Sequence, residues 1–174
     1  MRKISLLFFV VLLGCKNKEG FYSAEDFASV KKIDTHIHLN TLQESFIHQA
    51  AADGIQFLDI VDDRPFGIPM DEQQEIAIHQ VSAFPHQISF ATTFSTARFE
   101  QPGWQAQAID SLKSAMQQGA IAVKVWKNIG MALKDRAGKF VMVDDDRFDS
   151  IFNFLETNNV PVIGHLGEPR ECWL

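Results

Sequence analysis

Three of the six histidines in this 174-residue chain stand where they could do chemistry. His36 and His38 belong to the run Asp34-Thr35-His36-Ile37-His38-Leu39. In a strand, residues two apart share a face at about 6.5 to 7 Å, so the two imidazoles can converge on one divalent cation. His165 ends a second apolar run, Val160-Pro161-Val162-Ile163-Gly164-His165. Three neutral imidazole nitrogens suit zinc or a similar metal and leave positions for water or a carboxylate. Lys124 lies in Ala122-Val123-Lys124-Val125-Trp126. If Val123 and Val125 face helices, Lys124 and Trp126 face the other way. A buried ammonium then needs a carboxylate partner, a substrate, or carboxylation to bridge two metals. The bland reading is a lysine whose head simply reaches solvent.

Other polar groups carry weaker signals. Glu168, in Gly167-Glu168-Pro169, follows His165 closely and reads as a ligand-orienting group, a substrate contact or a solvated loop carboxylate. Asp59, Asp62 and Asp63 end or follow another apolar run, as contacts to ligands and substrate or as loop caps. Trp104 and Trp126 line a pocket or fill core. His48, His79 and His86 fall on expected helices or just before a strand, and read as structural or exposed.

Elements that position these residues follow from periodicity. Residues 32–39, 55–61, 88–94, 121–126 and 160–164 are short apolar runs and read as five strands. Between them lie four helical patterns. Thr41-Leu42-Gln43-Glu44 fits a capping box, with Leu42, Phe46, Ile47 and Ala50 on one face. Residues 72–84 put Ile76, Ala77, Val81 and Phe84 inward, and Pro85 stops the helix. Residues 105–118 put Ala108, Ile109, Leu112 and Met116 inward. Phe148, Ile151, Phe152 and Leu155 mark the fourth, with Asp144 to Asp146 near its positive end. Strands alternating with helices argue for an α/β fold with a parallel sheet. The expected architecture is a TIM-like (β/α)8 barrel of the metal-dependent hydrolase type, truncated after about five strands, since such barrels place active sites at the C-terminal strand ends. An open, doubly wound five-stranded sheet is the alternative.

The amino terminus carries an address. Arg2 and Lys3 precede the uncharged run at residues 4–13, which is too short to span a bilayer as a mature helix. It ends in Leu12-Leu13-Gly14-Cys15, which resembles a bacterial lipobox. The expected division is a lipoprotein signal peptide at 1–14, a tether at 15–30 lipidated on Cys15, and a barrel portion at 31–174. Acyl chains on Cys15 would anchor the protein to a membrane of the bacterial cell envelope, on its periplasmic or surface side. Bulk properties agree with a globular body, at 46% hydrophobic and 22% charged residues. A net charge of −6 gives no electrostatic footprint for nucleic acid. Cys172 is left without a partner once Cys15 is lipidated, so no disulfide framework is expected.

The runs at 34–39, 119–126 (GAIAVKVW) and 160–169 (VPVIGHLGEP) together resemble the amidohydrolase superfamily. They are most similar to its amidohydrolase-2 group, which includes aminocarboxymuconate semialdehyde decarboxylase-like enzymes. The resemblance covers roughly residues 30 to 174. It implies that His36 and His38 bind a divalent metal, that His165 is a further ligand, and that Lys124 lies in strand four at the site. It implies hydrolysis of a small amide, lactone or related carbonyl compound by a water that the cation activates. Lys124 and Glu168 are then the candidate catalytic residues, and a small molecule the partner. Non-oxidative decarboxylation is the close alternative, and a binding-only surface lipoprotein with a degenerate barrel is a second class. A phosphoesterase of the polymerase-and-histidinol-phosphatase type or a TatD-like nuclease fits the strand-four lysine less well. The family's strand-eight aspartate and strand-six histidine have no counterpart within these residues. The expectation is therefore a fragment of a longer enzyme, poorly folded and inactive alone.

Overall fold

Five short strands, joined by four return connections, pair side by side in chain order: β1 (Lys32–Ile37), β2 (Ile55–Ile60), β3 (Ile88–Thr92), β4 (Ala120–Lys124) and β5 (Val162–Ile163). All four pairings are parallel. The computed structural model describes residues 20, 22–64 and 67–165. The leader, Cys15, Glu168 and Cys172 lie outside the described residues. The strand order never reverses. A doubly wound sheet reverses its order at a switch point, so that alternative is set aside.

The helices α1 (Ser45–Ala52), α2 (Met70–Ala83), α3 (Trp104–Gln117) and α5 (Asp149–Thr157) alternate with the strands, and a short turn α4 (Asn128–Met131) follows β4. Their apolar faces cover one side of the sheet. Ile47 and Ala50 of α1 pack with Phe57 and Ile88. Ala77 of α2 and Ala115 of α3 meet Phe90 and Ala120. Leu112, Ile151 and Leu155 pack with Val123 and Val125. A smaller aliphatic cluster lines the other face, where Ile60, Ala91 and Ala122 join Leu58 and Ile163. With helices covering one side, the parallel sheet curls into an α/β half-barrel. Side chains show the curl directly. His38, beyond β1, and Trp126, beyond β4, have ring centroids 6.2 Å apart, whereas three strand spacings in a flat sheet amount to about 14 Å.

Three helices end where glycine or asparagine permits a left-handed turn. Gly54 after α1 and Gly119 after α3 have φ of 67° and 105°, and Asn159 after α5 has φ of 52°. Among the described residues no helix is long and apolar enough to cross a membrane.

One expectation needs correction. No capping box starts α1: Thr41 Oγ1 accepts from Gln43 N instead, and the Thr41 carbonyl accepts from Gln80 Nε2. That local turn delays the helix to Ser45 and leaves Leu42 and Phe46 each 55% exposed. The stretch between β4 and α5 is also more structured than the sequence indicated. It holds α4, an antiparallel bridge between Lys134 and Phe140, and Val141 buried in the main core.

Candidate functional site

Strict alternation along β1 would not deliver both histidines to the concave face. Ile33 and Thr35 line a concave-side cavity with Leu58, Ser89 and Ile121. Continued alternation would send Ile37 there and turn His36 and His38 towards the helices. A bulge prevents this. Between Asp34 and Ile37 three steps on β1 match two on β2, from Phe57 to Asp59. Such an inserted residue shifts the phase of everything after it. Asp34 stabilises the irregularity, with Oδ1 accepting from His36 N at 3.0 Å. Ile37 and Leu39 consequently join the helix-side core, and the two histidines share the other face.

The same device operates on β4. Phe90 and Ala91 of β3 pair with Ala120 and Ala122, so Ile121 is the extra residue. Ala120 packs towards the helices and Ala122 towards the concave layer. Lys124 and Trp126 follow Ala122 in phase, and Val123 and Val125 enter the helix-side core.

His36 and His38 stand edge to face with ring centroids 5.4 Å apart. Two imidazoles sharing one tetrahedral zinc at about 2.0–2.1 Å would place their centroids about 5 Å apart. His38 Nδ1 lies 2.6 Å from the Ile60 carbonyl and 3.3 Å from Asp62 Oδ2. Both are acceptors, so the proton belongs on Nδ1 and Nε2 keeps its lone pair. Metal-binding histidines are commonly anchored this way. Burial, and then the charges of Lys124, His38 and His165, push the His36 imidazole below the usual histidine range, with Asp34 opposing. The His38 ring is thus oriented with Nε2 as its free donor atom.

Lys124 is 1% exposed. Its Nζ donates to the Gly164 carbonyl at 3.0 Å, tying β4 to the residue before His165. Burial lowers the ammonium pKa, and the charge of Asp62 works against that shift. Trp126 stands between the two ends of the site, 6.2 Å from His38 and 6.1 Å from His165. His165 therefore shares the mouth with the pair, in contact with the same indole, and its charge acts on His36. Among the described residues, no three His, Cys, Asp or Glu side chains gather closely enough to hold a metal ion. The donor types and the 5.4 Å pair fit zinc, and His165 stands at the same mouth outside that pair.

Beneath this mouth Asp59 accepts from Leu39 N at 2.8 Å, and burial raises its carboxyl pKa. Asp63 Oδ2 accepts from Thr96 N, Thr96 Oγ1 and Asn128 Nδ2, latching the loops after β2, β3 and β4 together. A recess of about 450 Å³ beside His165 is walled by Trp126, Ile129, Met131, Met142 and Phe152. No sequence period marks it, because most of its walls come from the irregular stretch after β4. Trp104 is core, packed edge to face with Phe94, Phe99 and Phe148. His48 is exposed beside Glu44.

Comparison with protein-family models, with curated proteins and with solved structures gives no match for this chain. What the residues themselves define is an α/β half-barrel with an imidazole pair, a buried lysine and a third imidazole at its C-terminal edge.

Proposed function

We propose that the half-barrel is of the (β/α)8 type and that its mouth is the site of a metal-dependent hydrolase of the amidohydrolase kind. The substrate would be a small amide, lactone or related carbonyl compound. One observation carries the reading: His36 and His38 sit 5.4 Å apart at the end of β1, with His38 Nδ1 held by the Ile60 carbonyl. His36 and His38 would hold a divalent cation, zinc by preference, with His165 as the third donor. Such a cation, when bound, polarises a carbonyl and lowers the pKa of water.

The chain's own residues do the rest. Lys124 presents the one buried ammonium among the described residues to the developing negative charge of a carbonyl under attack. Trp126 and the recess beside His165 take the apolar part of the substrate and exclude water. Glu168 is proposed as a substrate or ligand-orienting carboxylate. Lipidation at Cys15, after removal of residues 1–14, would hold the protein at a membrane of the bacterial cell envelope.

The test is a panel of small lactones, amides and aryl esters assayed with added zinc. The reading expects hydrolysis that a chelator abolishes and zinc restores. Release of carbon dioxide from carboxylated substrates, without hydrolysis of the panel, would replace this reaction with decarboxylation. Hydrolysis indifferent to chelation would refute the metal.

A further inference from the structure

The buried carboxylate of Asp62 has more partners than a loop cap needs. Its residue is fully buried at the end of β2. Arg64 grips it in a fork, with Nε on Oδ1 at 2.6 Å and Nη2 on Oδ2. Gln73 of α2 fixes the backbone on both sides, accepting from Asp62 N at 3.1 Å and donating to Asp62 O at 3.2 Å. The remaining approach to Oδ2 belongs to His38 Nδ1 at 3.3 Å. The same negative charge is felt by Lys124. A backbone cap would be satisfied by Arg64 N alone, which also reaches Oδ1.

We propose that Asp62 is a positioning residue for His38: clamped by Arg64 and Gln73, its carboxylate holds the imidazole proton on Nδ1 and turns Nε2 to the mouth as a metal donor. This deepens the metal-site reading above and rests on it. Two acceptors face Nδ1, the Ile60 carbonyl and Asp62 Oδ2. The carbonyl sets direction. The carboxylate adds a full negative charge, which strengthens the donor character of Nε2 and offsets positive charge arriving there. Arg64 keeps the carboxylate from rotating away, since a planar fork fixes both oxygens at once. An asparagine at this place would be ambiguous. Its amide can donate to Nδ1, which favours the opposite tautomer and removes the lone pair from Nε2.

The experiment compares the wild-type chain, Asp62→Asn and Arg64→Met. Long-range nitrogen–proton spectra of metal-free, histidine-labelled protein report the His38 tautomer. Zinc titration against a chromophoric chelator reports affinity, and thermal melts report folding. We expect wild-type His38 to carry its proton on Nδ1. In Asp62→Asn the Nε2–H tautomer should gain population, limited by the Ile60 carbonyl that still faces Nδ1 at 2.6 Å, and zinc affinity should fall by about 10- to 100-fold. Arg64→Met, which keeps the carboxylate, should retain the tautomer and lose less zinc affinity. A wild-type His38 protonated on Nε2 overturns the proposal without any variant. So does an Arg64→Met loss as large as that of Asp62→Asn with the tautomer intact, since Asp62 would then merely hold the loop. If the wild-type chain binds no zinc, the metal-site reading fails, and the tautomer comparison still decides the role of Asp62.

Discussion

Replacing Lys124 by methionine should leave the fold as stable as before, or more so, while removing activity. Lys124 is 1% exposed, and its ammonium donates a hydrogen bond to the Gly164 carbonyl at 3.0 Å. Losing that charged hydrogen bond costs about 1.5–3 kcal/mol. Gly164 is itself exposed, so water can replace the lost donor. Asp62 keeps its clamp on Arg64. Against the loss stands the desolvation of a cation, several kcal/mol in a protein interior, which methionine avoids while filling a similar volume. The balance predicts a change between zero and about 2 kcal/mol of added stability. For a chain of this size that is a melting-temperature rise of roughly 2–4 °C per kcal/mol. Urea denaturation of both chains measures it. In the same samples turnover should fall by about 10²- to 10³-fold, the usual effect of removing one electrostatic donor. A destabilisation of about 3–5 kcal/mol would refute the reasoning, because that is the signature of breaking a buried ion pair. Lys124 would then hold the fold together rather than serve the site.

Three further perturbations probe the scaffold. Phe148 is fully buried against Phe99 and Trp104, with ring centroids at 5.3 and 5.7 Å. Phe148→Ala should cost about 3–5 kcal/mol in urea denaturation, and a loss under about 1 kcal/mol would show the aromatic cluster to be loosely packed. Asp63→Ala removes the acceptor shared by Thr96 and Asn128. Hydrogen exchange should speed up in the loops after β3 and β4, with a stability loss of about 1–3 kcal/mol; unchanged exchange would rule out the latch. Arg147 holds the Asp145 carboxyl down at about 2, against an ordinary 3.8. A depressed folded-state pKa gives stability that is present above 3.8 and lost as pH falls towards about 2. Both groups are partly exposed, so Asp145→Asn should cost no more than about 1 kcal/mol at pH 7. The difference between the two chains should shrink on acidification to pH 3, and a gap that widens there would reverse the assignment.

Much of the scaffold was legible because burial imposes a period. The apolar runs around Phe57, Phe90 and Val123 mark strands whose flanks must be covered. Ala108 and Leu112, or Ile151 and Leu155, repeat at helical spacing for the same reason. The candidate site was legible in its residue types, since an imidazole pair and a lysine inside apolar runs are conspicuous. Its geometry was not. Alternation assumes that every strand residue opposes one partner, and the extra residues near Thr35 and at Ile121 break that assumption where the functional side chains begin. The short Asx contact from Asp34 to His36 N was the available hint. The Asp62 clamp joins β2, α2 and β1, and the recess by His165 is built from the stretch after β4. Such contacts are long-range and leave no local period to read.

The most direct test of the account is the metal content of the purified chain. Zinc should be retained through dialysis by the wild-type protein near one equivalent, and lost when His36 and His38 are both replaced by alanine in a chain that melts as the wild type does. Equal zinc in the two proteins, or none in the wild type after reconstitution, would contradict the claim that this imidazole pair is a metal site.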